Sequence, residues 1–137
     1  VDLSVGYTEY TYPGAAGEAD REVSLIAGFD LPVAPSLSLH YGVDGGIEQT
    51  LFVEAGVGDD FELGGGVVIE LGATVGYLSQ DAGASGFSHF STTLGASYGI
   101  LSAGVTYVGQ IDSDVLPNRA GAYDADLYGT VGVAHEF

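Results

Sequence analysis

The feature that most restricts this chain is an alternation of apolar with small or polar side chains, repeated in segment after segment at a period of two residues. Its last stretch, Leu127 to Phe137, shows the pattern plainly. Leu127, Gly129, Val131, Val133, His135 and Phe137 share one face, and Tyr128, Thr130, Gly132, Ala134 and Glu136 share the other. Successive side chains of a strand point to opposite faces, so this periodicity predicts extended backbone. No segment sustains the 3.6-residue period of an amphipathic helix. Nor does any run approach the roughly 18 apolar residues of a membrane-spanning helix. The class expected is all-β, as one domain over residues 1–137.

Taken in order, the chain reads as about eight strands. The first is roughly Val1 to Tyr10, followed by a loop from Tyr12 to Arg21 rich in Pro and Gly. The second runs from about Glu22 to Leu31, with a stiff turn at Pro32-Val33-Ala34-Pro35. The third, about Ser36 to Val43, leads into Asp44-Gly45-Gly46, where Asp-Gly is a strong cue for a tight hairpin. The fourth covers about Glu48 to Val57, and Phe61 and Leu63 can prolong it before Gly64-Gly65-Gly66 turns the chain. Val67 to Leu78 and Phe87 to Tyr98 are the fifth and sixth, separated by the small-residue loop Asp81 to Gly86. The seventh begins near Leu101 after a turn at Gly99, and Ile111 to Ala122 forms the last long loop before the terminal strand.

Two architectures alternate in this way. A soluble β-sandwich buries a bulky inner face and covers its outer face with charge. Here the polar face is mostly Gly, Ser and Thr, in keeping with the chain's 23 glycines, and suits the lining of a confined interior. Aromatics recur near strand ends (Tyr7, Phe29, Tyr77, Phe90, Tyr98, Tyr107, Phe137), where membrane barrels keep their girdles. Turns near Pro32, Gly64 and Gly99 are mostly short, and the connections at the other end are mostly longer. These features favour an antiparallel transmembrane β-barrel over the sandwich.

The terminal segment resembles the C-terminal insertion signal of Gram-negative outer-membrane β-barrels, carried here by Thr130, Gly132, His135 and Phe137. More broadly, Val1-Asp2-Leu3-Ser4-Val5-Gly6-Tyr7, Glu22-Val23-Ser24-Leu25, Gly86-Phe87-Ser88-His89-Phe90 and Tyr128-Gly129 resemble a poorly characterised family of Gly- and Tyr-rich, porin-like outer-membrane barrels. The resemblance implies a bacterial outer-membrane location, contact with outer-membrane lipid and insertion by the barrel-assembly machinery. It implies no substrate. Members of such a family can be longer, so this chain reads as a whole barrel or as the C-terminal part of a larger one. With neither an initiator Met nor a signal peptide, it reads as a mature chain or a fragment.

The chemistry legible in the sequence is thin. A net charge of −17, with only two basic residues and no Lys, argues against nucleic acid as a partner. Without Cys, neither a disulfide framework nor a thiolate metal site can form. Gly95-Ala96-Ser97-Tyr98-Gly99 fits the nucleophile-elbow pattern, but the elbow needs a following helix that is not expected here. Asp112-Ser113-Asp114 and Asp124-Ala125-Asp126 could offer oxygens to a divalent cation. Without the loop spacing and glycine of an EF-hand, solvated loop charge is the better account. His40, His89 and His135 are too far apart in sequence for a local metal signature. No cofactor and no catalytic centre are expected.

Parity places Asp2, Asp30, Asp44, Glu54, Glu70, Asp126 and Glu136 on the inward face. Glu54 stands near mid-strand, and the expected hairpin brings His40 beside Phe52 and diagonal to Glu54. Glu54, His40, Glu70 and His89 are the candidate lumen residues. The function expected is a structural membrane protein or a narrow, cation-preferring pore for small solutes. Its alternatives are a membrane-anchored binding or assembly module, acting through acidic external loops on a protein partner or divalent cations, and a soluble acidic β-sandwich.

Overall fold

The computed structural model describes residues 1–12, 19–81, 83–115 and 126–134. It contains eight antiparallel strands in one sheet, each paired with its sequence neighbour: β1 (Asp2–Tyr10), β2 (Asp20–Gly28), β3 (Ser36–Asp44), β4 (Leu51–Gly64), β5 (Val67–Ser79), β6 (Gly86–Tyr98), β7 (Leu101–Gln110) and β8 (Leu127–Val133). The all-β meander is thus the observed fold. Its register keeps the two faces apart, because directly opposed residues share a face. Leu3, Ala27, Leu37, Ala55, Val75 and Phe90 form one apolar row across six strands. Asp2, Gly28, Ser36, Gly56, Thr74 and Ser91 form the neighbouring polar row. Hydroxyl pairs tie the polar face together, Thr74 to Ser91 at 2.7 Å and Thr93 to Thr106 at 2.9 Å. Aromatic pairs hold the other, Tyr77 edge-on to Phe87 and Phe90 against Tyr107.

Among the described residues, no second layer covers the apolar face. Among the described residues the one buried hydrophobic side chain is Val115, while Leu3, Val5, Val131 and Val133 are each about two-thirds exposed or more. A sandwich would bury such a face against another sheet. The closed barrel is not formed either: among the described residues β1 pairs only with β2 and β8 only with β7, and the sheet stays open.

Local differences from the expected elements have local causes. Gly65-Gly66 makes the expected tight turn, both residues with positive φ, and β4 runs on through Phe61 and Leu63 to meet it. Gly99, with φ 57°, and Ile100 turn β6 into β7. Asp44-Gly45-Gly46, by contrast, does not close a tight hairpin. Gly45–Ile47 form a 3₁₀ turn and β4 begins only at Leu51. The side chain of Asp44 accepts from the Gly45 amide and Asp20 Oδ1 accepts from the Gly46 amide, so two carboxylates draw the loop away from a two-residue turn. β2 starts at Asp20, inside the expected loop, where Arg21 is ion-paired with both Glu9 and Asp44. It stops at Gly28 rather than Leu31, ahead of a turn closed by the Ala34 amide on the Leu31 carbonyl.

Candidate functional site

Among the described residues, the polar face carries a cluster of histidine and glutamate side chains built from four strands. The register sets His40 of β3 opposite Phe52 of β4, as expected. The partners of His40 and Glu54, however, are not each other. His40 Nδ1 lies 2.9 Å from Glu22 Oε1 on β2, and Glu54 Oε2 lies 3.6 Å from His89 Nε2 on β6. The Phe52 ring stands between the two histidines, its centroid 6.0 Å from each and stacked on His89 at an interplanar angle of 8°. Glu22 lies diagonal to His40, since its own cross-strand partner is Gly42, over which the Ile47 carbonyl sits.

His89 reaches Glu54 across an entire strand. In the register Gly76 of β5 sits between them, opposite Glu54 on one side and His89 on the other. The space above Gly76 is taken by its neighbours. A Cβ there would lie 2.5 Å from His89 Cε1 and 2.9 Å from Ser88 Oγ. Pairing shifts at this point, so that Tyr77 opposes Phe87 and Ser88 is the additional residue of a β-bulge. That bulge turns Ser88 onto the polar face, where its hydroxyl lies 3.0 Å from His89 Nδ1 and is 1% exposed. The His89 ring thus has the Ser88 hydroxyl 3.0 Å from one nitrogen and the Glu54 carboxylate 3.6 Å from the other. With no exposed surface to meet a substrate, the Ser88 hydroxyl fixes the ring instead. What the cluster offers is a girdle of two carboxylate–imidazole pairs around a phenyl ring.

Glu70 is on the same face but elsewhere. It is exposed, opposes Asp60 on β4 and packs over Gly95, six residues along β5 from Gly76. Thr130 and Gly132 occupy regular positions in β8 opposite Gly104 and Ser102, whereas His135, Glu136 and Phe137 lie outside the described residues. So does the Asp124 half of one acidic pair. Ser97 lies within β6 opposite Ser102, in the geometry of a strand and not of an elbow. Among the described residues, no three His, Cys, Asp or Glu side chains are grouped to hold a metal ion. At the loop end of the sheet the Tyr12 hydroxyl donates to Asp20 Oδ2 at 2.6 Å, which raises the phenol above its usual pKa because ionisation would break that bond beside a carboxylate.

Glu22, Ser88 and Gly76 were not among the lumen residues expected from the sequence. Glu22 shares parity with Ser24 and so could have been placed inward, but it sat at an assumed strand boundary. Ser88 carries no such signal, since a bulge inverts parity without marking the sequence.

Together these features define a class: an eight-stranded antiparallel meander with an apolar face and a polar face girdled by histidine and glutamate. Comparison with protein-family models, curated proteins and solved structures finds no match to this chain.

Proposed function

We propose that the chain is an outer-membrane β-barrel protein whose polar face lines a narrow, cation-preferring lumen. The observation that carries this reading is the uncovered apolar face of a single-layer sheet. Water tolerates scattered exposed apolar side chains, but contiguous patches beyond a few hundred Å² mark a surface that another medium or partner covers. Every strand contributes to this one, and its aromatics suit the interfacial girdles of a membrane barrel. A closed sheet would satisfy the backbone within lipid, as any spanning structure must.

The opposite face then lines the interior. Glu22 and Glu54 stand in its loop-end girdle, and Asp60, Glu62 and Glu70 lie toward the tight-turn end, between them a stretch dominated by Gly, Ser and Thr. Among the described residues Arg21 is the single Lys or Arg side chain, and it is already paired with Glu9 and Asp44. An acidic lining with so little compensating charge lowers the energy of a cation and raises that of an anion. A second reading, a closed barrel acting as a membrane rivet for acidic external loops, is favoured by the way His40, Phe52 and His89 fill the girdle.

Two measurements test these readings. Retention in the membrane fraction after salt and carbonate washes, with heat-modifiable gel migration, is expected; release as a soluble chain refutes the barrel. In a planar bilayer under a salt gradient, a reversal potential of cation sign that shrinks at high salt and in Glu54→Gln supports the pore. Anion selectivity refutes the charge argument, and absence of conductance supports the rivet.

A further inference from the structure

We propose that the open edge of β1 closes onto the open edge of β8 of the same chain, antiparallel, with Leu3 opposite Val133, Val5 opposite Val131 and Tyr7 opposite Gly129. The register accumulated across the sheet leads to this seam. The polar row that starts at Asp2 continues through Gly28, Ser36, Gly56, Thr74, Ser91 and Val108, and the Val108 amide bonds the Asp126 carbonyl. The row therefore leaves the first residue of β1 and arrives just ahead of the first residue of β8. The two edge strands run past opposite ends of that row, displaced by about their own length. A sheet must carry such a stagger if it is to close into a barrel, because closure tilts the strands.

Three conditions select the register. Faces must match, so odd-numbered apolar positions of β8 must meet odd-numbered apolar positions of β1; this restricts the total shear to even values. All seven residues of β8 must find partners within β1, which a shear of about eight provides by setting residues 127–133 against 9–3. At 3.3 Å per residue and 4.8 Å between strands, eight strands with that shear tilt by about 35°, within the range of barrels.

A further support rests on the lipid reading. Tyr7 stands five residues beyond Asp2 toward the loop end, Tyr41 five beyond Ser36, Tyr77 three beyond Thr74 and Phe90 one from Ser91, while Tyr107 stands one residue to the other side of Val108. This descending series becomes a nearly level belt when each strand is raised by about one residue relative to the last, which is the stagger of a shear of about eight. On the same scale Phe61 and Tyr98 form a lower belt, roughly 20–25 Å away, the height of the apolar band of a membrane barrel. Tyr7 over Gly129 also repeats a device used twice in this sheet, a ring lying over a cross-strand glycine: His89 over Gly76 and Phe90 over Gly109.

Disulfide trapping tests the seam, and the chain contains no Cys to interfere. Directly opposed residues lie within reach of a disulfide, whereas diagonal neighbours at roughly 7–8 Å do not. In the full chain, purified from membranes or from the soluble fraction, Val5→Cys/Val131→Cys and Tyr7→Cys/Gly129→Cys are expected to oxidise within one chain at least tenfold faster than Leu3→Cys/Val131→Cys or Tyr7→Cys/Val131→Cys. Preference for either of the latter pairs overturns the register. Disulfides between chains overturn self-closure in favour of a second copy, and no disulfide in either expected pair overturns the seam altogether. Membrane retention of the same variants reads out independently: trapping without retention keeps the seam and removes the lipid, while retention without trapping does the reverse.

Discussion

Replacing Gly76 by Ala is the most informative perturbation of the girdle. The added methyl would lie 2.5 Å from His89 Cε1, 2.8 Å from His89 Nδ1 and 2.9 Å from Ser88 Oγ, all closer than side chains tolerate. Because the obstructing atoms belong to side chains on a bulge, the ring is expected to swing away from Glu54 instead of the strand breaking. Overpacking of this kind costs about 1–3 kcal/mol. Gly72 is the matched control on the same strand and face, where a Cβ would meet its nearest neighbours at 3.8 and 3.9 Å. There the Gly-to-Ala change is expected to gain about 0.5–1 kcal/mol from reduced unfolded-state entropy. That gain is common to both sites, so denaturant midpoints in detergent or lipid should separate the two variants by the overpacking cost, about 1–3 kcal/mol. Combining Gly76→Ala with His89→Ala should recover about 1 kcal/mol or more of the penalty as a coupling energy, since the ring is the main obstacle. The His89 ring resonances should shift in Gly76→Ala and stay in place in Gly72→Ala. Equal stability of the two single variants, with unmoved His89 resonances, would refute the claim that Gly76 exists to let His89 cross β5.

Other expectations follow from the two faces and the two ends. On the proposed lipid contact and stagger, Val105 falls near the middle of the apolar band and Val53 near its aromatic belt, so Val105→Arg should cost about 2–4 kcal/mol and Val53→Arg only about 0–1; similar costs at both, measured by equilibrium unfolding in lipid, would contradict the stagger. Tyr12 should titrate above an ordinary tyrosine when followed by ultraviolet absorbance, and Asp20→Asn should bring it down. Its raised pKa means that the stabilising contact is intact below the usual tyrosine range and is lost as pH climbs through the higher value. If Thr130, Gly132, His135 and Phe137 act as an insertion signal, deleting Phe137 should lower the yield of heat-modifiable barrel, while His135→Tyr preserves it; full assembly of the truncated chain would sink that idea.

Much of this fold was legible because period two is a strong code. Strand number, the Gly64–Gly66 and Gly99 turns, and the facing of Glu54, His40 and His89 could all be taken from alternation and turn chemistry. What escaped depends on interactions between distant segments. The Asp44-Gly45 cue failed because Asp20, distant in sequence, captures the Gly46 amide. His40 was expected diagonal to Glu54 on one hairpin, yet the carboxylate it meets is Glu22, from the neighbouring strand β2. The link from His89 to Glu54 spans two strand intervals and needs both a bare Gly76 and a bulge at Ser88. Neither requirement is written in a local pattern.

The near absence of a buried core gives this chain an unusual thermodynamic dependence. In a globular domain, unfolding exposes the protein's own apolar interior, and the heat capacity rises accordingly. Here Val115 is the one hydrophobic side chain among the described residues that the chain hides for itself. Most of the apolar contribution must come from contact with whatever lies against the sheet. The stability of this fold is therefore expected to be set jointly by sequence and surroundings: if lipid is what lies against the sheet, as proposed, changing acyl-chain length or detergent should shift its unfolding midpoint.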